Sequence, residues 1–403
     1  MKDYRLDFPL LSRKYRNNNL IYFDNAATSP KLQLVIDSVT DFYKQHNANI
    51  HRGPNFLTQE ATDLYEEARK IVANFINANT EEIIFTSSAT ASLNLISRSW
   101  GESNLKMGDI VVLSRAEHHA NIVPWLLLKD KIGIEIQYID LNDDGSLSRD
   151  SMYTILAQPR VKLLSLTQTS NVLGIYYDLK EVIKMANDKG VVTIVDAAQS
   201  IAHHELNVKE LGADFLVFSG HKLFAPSGVG VLYGRQKMLG QIPAFFGGGS
   251  MISSVSEQSY QVAEIPYKFE AGTPNIEGVI ALGVACRYLQ QLGWETINKR
   301  EKGLVDYFLK KIIDYPELQL LGANSNRVPL FSFNTFKLHP HDLADLLGEE
   351  GIIVRAGHHC AEPLHRYLKV KASLRLSLAF YNTNEEIDKF FDKFRQLEEK
   401  LSC

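Results

Sequence analysis

The chain has 403 residues, a formal net charge of −4, and 45% hydrophobic against 22% charged residues. That length exceeds one compact core and implies a large domain plus a smaller one. Scattered Lys and Arg give no electrostatic footprint for nucleic acid or an anionic membrane. Three cysteines, Cys286, Cys360 and Cys403, exclude a disulfide framework and fit a reducing compartment.

The opening "MKDYRLDFPLLSRKYRNNN" has neither the apolar stretch nor the small-residue cleavage site of a signal peptide. No segment is long and apolar enough to span a bilayer, so the expected location is the cytoplasm. From residue 82 the chain alternates short apolar runs with amphipathic stretches. The runs are "EIIFT" (82–86), "DIVVLS" (109–114), "IEIQYID" (134–140), "VKLLSLT" (161–167), "VVTIVD" (191–196) and "DFLVFS" (214–219). Continuous Val/Ile/Leu runs suit strands buried on both faces. Helical patterns such as "DLKEVIKMANDKG" (178–190), ending on glycine, lie between them. This rhythm predicts an α/β domain with a mostly parallel, mixed sheet flanked by helices. "VGVLYG" (229–234) follows a Pro-Ser-Gly turn and is expected to return antiparallel. Beyond residue 285 the order of helices and strands becomes irregular. The expected division is a large domain at 20–285 and a smaller α+β domain at 286–403, with 1–19 packing against the latter.

Ligands of open α/β sheets sit beyond the carboxyl ends of the strands. Those ends carry "SSATAS", "RAEHHAN", "QTSNVLG", "DAAQS" and "SGHKLFAPSG", a concentration of reactive groups at one edge. Lys222 follows a buried strand, where an amine of lowered pKa can condense with a carbonyl cofactor. A surface lysine at a strand end is the alternative. Asp196 is placed to pair with a protonated pyridine nitrogen, or simply to cap the next helix. Ser87, Ser88 and Thr90 offer a phosphate seat at a helix mouth, or plain capping.

"DAAQS", "SGHKLFAPSGVGVLYG", "EHHANIVPW", "FEAGTPN" and "RAGHHCAEPL", in this order, resemble the SufS-type (group II) cysteine desulfurases. These are class V aminotransferase-like enzymes of fold type I that use pyridoxal phosphate. The resemblance runs from "YFDNAATSP" (22–30) to "SLAFYNT" (377–383). It implies that Lys222 holds the cofactor covalently and shuttles protons. It also implies that His118 stacks on the ring, Asp196 pairs the ring nitrogen, and Gln199 bonds the phenolic oxygen. Thr90, Ser219 and His221 would hold the phosphate, with Thr273 reaching in from the partner of a homodimer. Arg375 would grip the substrate carboxylate, with Asn171, His51 and Arg52 as further candidates in the pocket. Cys360 would accept sulfur from L-cysteine, leaving alanine and a persulfide that a SufE- or SufU-like protein takes toward iron–sulfur cluster assembly. The chain departs from the branch's Gly-Thr-Thr-Glu at Ser88 and Ala91.

Two other readings compete with this one. The same scaffold could serve a selenocysteine lyase or a cysteine sulfinate lyase. "RAGHHC" could instead mark a non-catalytic metal-binding module, but consecutive His358, His359 and Cys360 side chains diverge and offer a poor ligand set. Cys286, within an apolar helical pattern, reads as a structural thiol, and Cys403 as exposed and incidental.

Overall fold

The structure is a computed structural model that describes residues 3–323, 326–335 and 338–401. Cys403 lies outside the described residues.

The apolar runs form the strands of one seven-stranded sheet. They are β1 (Ile83–Thr86), β2 (Ile110–Ser114), β3 (Glu135–Ile139), β4 (Val161–Thr167), β5 (Val192–Asp196), β6 (Phe215–Ser219) and β7 (Gly230–Gly234), in the spatial order β1-β7-β6-β5-β4-β2-β3. β2 to β6 run parallel to one another, while β7 lies antiparallel to both β6 and β1. Alternate residues serve opposite faces. Ile110 and Val112 join one hydrophobic cluster, whereas Val111 and Leu113 join the other. Both clusters are fully covered, so the strands read as continuous apolar runs. β3, one of the sheet's two edge strands, departs from that pattern: Glu135 is exposed and pairs with Arg160.

Helix α1 (Phe56–Phe75), capped by the Asn55 side chain, packs on one face beside α3 (Ile276–Leu292). The short α2 (Ala89–Ile96) covers the other face. Arg69 of α1 is 1% exposed, with its guanidinium 4.7 Å from the Phe85 ring centroid. It donates to both Glu270 oxygens at 2.8 Å, and Glu270 also accepts the Phe85 N–H at 2.7 Å. One buried ion pair therefore ties α1, β1 and the "FEAGTPN" loop together. Arg69→Ala leaves Glu270 charged and unpaired, and is expected to cost about 3–5 kcal/mol of stability in denaturant melts. A change below about 1 kcal/mol would refute this account of the contact.

Residue 285 falls inside α3, whose buried side chains through Leu289 belong to the large cluster. The next helix, α4 (Trp294–Ile312), begins in that cluster at Ile297 and ends in a separate one at Leu304, Val305 and Phe308. The second cluster lies on a four-stranded antiparallel sheet. Its strands β8 (Leu318–Leu320), β9 (Leu330–Thr335), β10 (Arg355–Gly357) and β11 (Ser373–Ser377) are ordered β8-β9-β11-β10. The N-terminal segment touches both parts. Phe8 packs against Phe224 at 5.4 Å and Tyr381 at 4.8 Å, while Arg5 pairs with Glu386. Residues Ile21–Tyr22 then pair in parallel with Ile352–Ile353, and Asp24 bridges to Ser377.

Candidate active site

The carboxyl ends of β4, β5 and β6 face a cavity of about 280 Å³. It is lined by Thr90, His118, Asn171, Asp196, Gln199, Ser219, His221, Lys222, Cys360 and Arg375, ten of the residues singled out in the sequence. The sheet register explains this convergence: Thr167 pairs with Asp196, and Gly230 pairs with both Ser219 and Thr86. Gly230 permits close approach, since a Cβ there would lie 2.5 Å from the Ser88 Cα. Ser88 itself is extended at φ −176°, a conformation open to any residue, so the missing glycine costs no backbone strain. Its hydroxyl caps α2 by accepting the Ala91 N–H.

Lys222 sits in the turn after β6, and this turn is gripped from outside. The carbonyl of His221 accepts hydrogen bonds from Lys31 Nζ at 2.9 Å, the Ser29 N–H and hydroxyl at 3.0 Å, and the Thr28 hydroxyl at 3.2 Å. Burial pulls the Lys222 ammonium down to about 8, opposed by Asp196 and aided by Arg375. Asp196, 4% exposed, accepts the Ala198 N–H at 2.9 Å. Burial pushes its carboxyl up, while that N–H and the Lys222 charge oppose the shift. His118 is pushed down to about 3 by burial and by the nearby Lys222 charge. Its Nδ1 accepts the Ala120 N–H at 3.0 Å, which leaves the proton on Nε2 and presents a neutral ring to the cavity. Beneath it, fully buried Glu117 accepts from Ser114, Asn121 and the Thr167 N–H, locking the turn to the ends of β2 and β4. His221 is likewise held neutral, down to about 4, by burial and by Lys222.

Cys360 enters on a braced turn that follows β10. Gly357, His359 and Cys360 have φ of 116°, 52° and 55°, the left-handed region that costs non-glycine residues of order 1 kcal/mol or more. The turn survives because its neighbours hold it. The Cys360 carbonyl accepts the His119 N–H at 2.7 Å, and Asn171 donates to the His359 carbonyl at 2.6 Å. His359 and His365 both meet the Ser373 hydroxyl, and His358 meets the Lys371 carbonyl at 2.8 Å. The imidazoles are thus spent on the turn. Among the described residues, no three His, Cys, Asp or Glu side chains converge to hold a metal. Cys360 is exposed, whereas Cys286 is buried in α3, where burial pushes its thiol up.

Arg375, 2% exposed at the centre of β11, donates to the Asn171 carbonyl and to Asp24, while its Nε has no hydrogen-bond partner. His51, Arg52 and Thr273 are exposed and lie outside this cavity. His51 and Arg52 line a second one of about 350 Å³, together with Gly272 and Pro274 on either side of Thr273. Asp24, Lys31 and Glu117 went unassigned in the sequence. For Asp24 the signal was present in "YFDNAATSP"; the other two look like ordinary charged residues.

The set fits pyridoxal phosphate. A buried carboxylate, a neutral aromatic ring, a desolvated lysine and a hydroxyl-lined helix mouth share one wall. A mostly parallel α/β sheet with these groups at its carboxyl edge defines an enzyme of the pyridoxal phosphate-dependent class. The chain belongs to the class-V aminotransferase family, whose pattern matches residues 21–390. It is 43% identical over 386 residues to a probable cysteine desulfurase of Xylella fastidiosa, covering 96% of this chain and 92% of that one. It is 42% identical over 399 residues to a cysteine desulfurase of Escherichia coli, covering 98% of each. Among solved structures, the apo cysteine desulfurase of Thermococcus onnurineus superposes with a TM-score of 0.93 at 39% identity, covering 98% of both chains. The E. coli cysteine desulfurase CsdA gives 0.90 at 35%, with the same coverage.

Proposed function

We propose that the protein is a SufS-type cysteine desulfurase acting in the cytoplasm as a homodimer. It takes sulfur from L-cysteine onto Cys360 and passes it, through a SufE- or SufU-like acceptor, to iron–sulfur cluster assembly. The observation that carries this reading is that Lys222 and Cys360 line one cavity although they lie far apart in the sequence. Relatives at 42–43% identity that bear the name cysteine desulfurase support it.

Pyridoxal phosphate, when bound, supplies the sink for the electron pair at the substrate's α-carbon. Lys222 would hold it covalently and move the α-proton, with Asp196 on the ring nitrogen, His118 against the ring face and Gln199 at the phenolic oxygen. Thr90, Ser219 and His221 would take the phosphate, and Thr273 would approach from the second subunit. Arg375 orients the substrate carboxylate with a planar set of donors. Cys360 then attacks the substrate sulfur: the S–S bond forms as the C–S bond breaks. The electron pair stays with carbon, which takes up a proton to become the methyl group of alanine. The thiol of Cys360 becomes a persulfide. Incubation with L-cysteine should release alanine and add the mass of one sulfur atom to the Cys360 peptide. Alanine without that added mass would defeat the transfer step.

Cofactor capture should also report the Lys222 environment. The neutral amine is the nucleophile, so lowering its pKa from the ordinary 10.5 to about 8 moves the onset of reactivity down with it. The rate at which stripped protein takes up pyridoxal phosphate is expected to rise through pH 8 and level off above it. A rate still climbing at pH 10 would mean that Lys222 is solvated like a surface amine.

A further inference from the structure

A phosphate monoester carries about 1.5 to 2 negative charges at neutral pH, and the seat proposed for it here holds no cation. Thr90 and Ser219 offer hydroxyls, and His221 is held neutral. The mouth of α2 meets this seat, since the Ala89 N–H donates to the Ser219 hydroxyl at 2.8 Å. A helix start counts for about half a positive charge, which leaves a shortfall of about one charge or more. The other cations of the cavity wall are committed. Arg355 and Arg375 share Asp24, and Lys222 is the group proposed to bond the cofactor.

Lys31 is placed differently. It lies behind the Lys222 turn, partly buried, and its hydrogen-bond acceptors are all neutral oxygens. They are the Ser29 carbonyl at 2.8 Å, the His221 carbonyl at 2.9 Å and the Thr28 hydroxyl at 3.5 Å. No ion pair to it forms among the described residues. Burial pulls its ammonium down to about 8, so the charge survives at pH 7. A charge withdrawn from water costs free energy unless an opposite charge answers it. The Lys31 charge reaches the His221 imidazole, one of the groups proposed to hold the phosphate, and helps to keep it neutral.

We propose that Lys31 is the counter-charge of the cofactor phosphate: from behind the His221 carbonyl it supplies the positive charge that the hydroxyl-lined seat lacks. This proposal rests on the reading above that puts the phosphate at Thr90, Ser219 and His221. Lys31 acts across the turn and touches no reacting atom, so it is a positioning residue. Without the ammonium, the His221 carbonyl still accepts from the Ser29 N–H, the Ser29 hydroxyl and the Thr28 hydroxyl.

The test titrates stripped protein at pH 7 with pyridoxal phosphate and with pyridoxal, which lacks the charged group, reading both dissociation constants from cofactor absorbance. In Lys31→Met the affinity for pyridoxal phosphate should fall about tenfold or more, while that for pyridoxal stays within about twofold. Inorganic phosphate, which carries the charge without the ring, should compete with cofactor uptake about tenfold less well. Lys31→Arg keeps the charge and should restore the wild-type ratio of the two affinities. Equal losses for both aldehydes in Lys31→Met would mark a merely structural residue and overturn the proposal, as would an unchanged ratio. Should Lys31→Met fail to fold, a ratio lowered just as far in Lys31→Arg overturns it instead. A wild type that binds pyridoxal as tightly as pyridoxal phosphate removes the phosphate seat itself, and the proposal with it.

Discussion

Cys360→Ala should make almost no alanine from L-cysteine, a loss of about 10³-fold or more, because no other thiol among the described residues is placed to receive the sulfur. Among the described residues the remaining cysteine is Cys286, sealed in the core of α3. The change should cost little else. The side chain is exposed, and the left-handed turn is held by backbone and histidine contacts that alanine leaves in place. Melting behaviour should therefore stay within about 0.5 kcal/mol of wild type, and cofactor absorbance should be normal. Full turnover by this variant would end the persulfide scheme while leaving the cofactor site intact.

Lys222→Ala attacks the other half of the site. It removes the amine proposed to fix the cofactor and move the proton, so turnover should fall by about 10⁴-fold or more. Two readouts separate this from simple misfolding. Borohydride reduction of the wild type should leave pyridoxyl mass on the peptide containing Lys222, and the variant should carry none on any lysine. The variant should still fold, since the turn around residue 222 is held by the His221 carbonyl. Covalent cofactor on a different lysine would show that the assignment of Lys222 is mistaken.

Much of this was readable because a parallel sheet buried on both faces writes its strands as apolar runs, and ligands gather where those runs end. Asp196, Ser219 and Lys222 each follow directly from that rule. Cys360 came from resemblance, and its φ of 55° lies beyond any periodicity argument. His51, Arg52 and Thr273 show the limit: the structure puts His51 and Arg52 on a second cavity with Gly272 and Pro274, the neighbours of Thr273, a grouping that depends on distances a string does not carry. Asp24 shows it more sharply, since its partner Arg375 is 351 residues away. The dihedral angle that makes Ser88 harmless was equally invisible, and only the observed φ of −176° settles that substitution.

The seam between residues 21–24 and the last strand also governs how the enzyme comes into being. The ribosome delivers Asp24 351 residues before Arg375, so a nascent chain must grow by that whole stretch before this wall of the cavity can close. Until then the large sheet can fold around its own core, but Arg375 has not yet been made. With Arg375 in its proposed role, a polypeptide that stops short of it, however well folded upstream, should not turn over cysteine. Such long-range closure is also a slow step, and it should make a clipped carboxyl terminus far more damaging to activity than to cofactor retention.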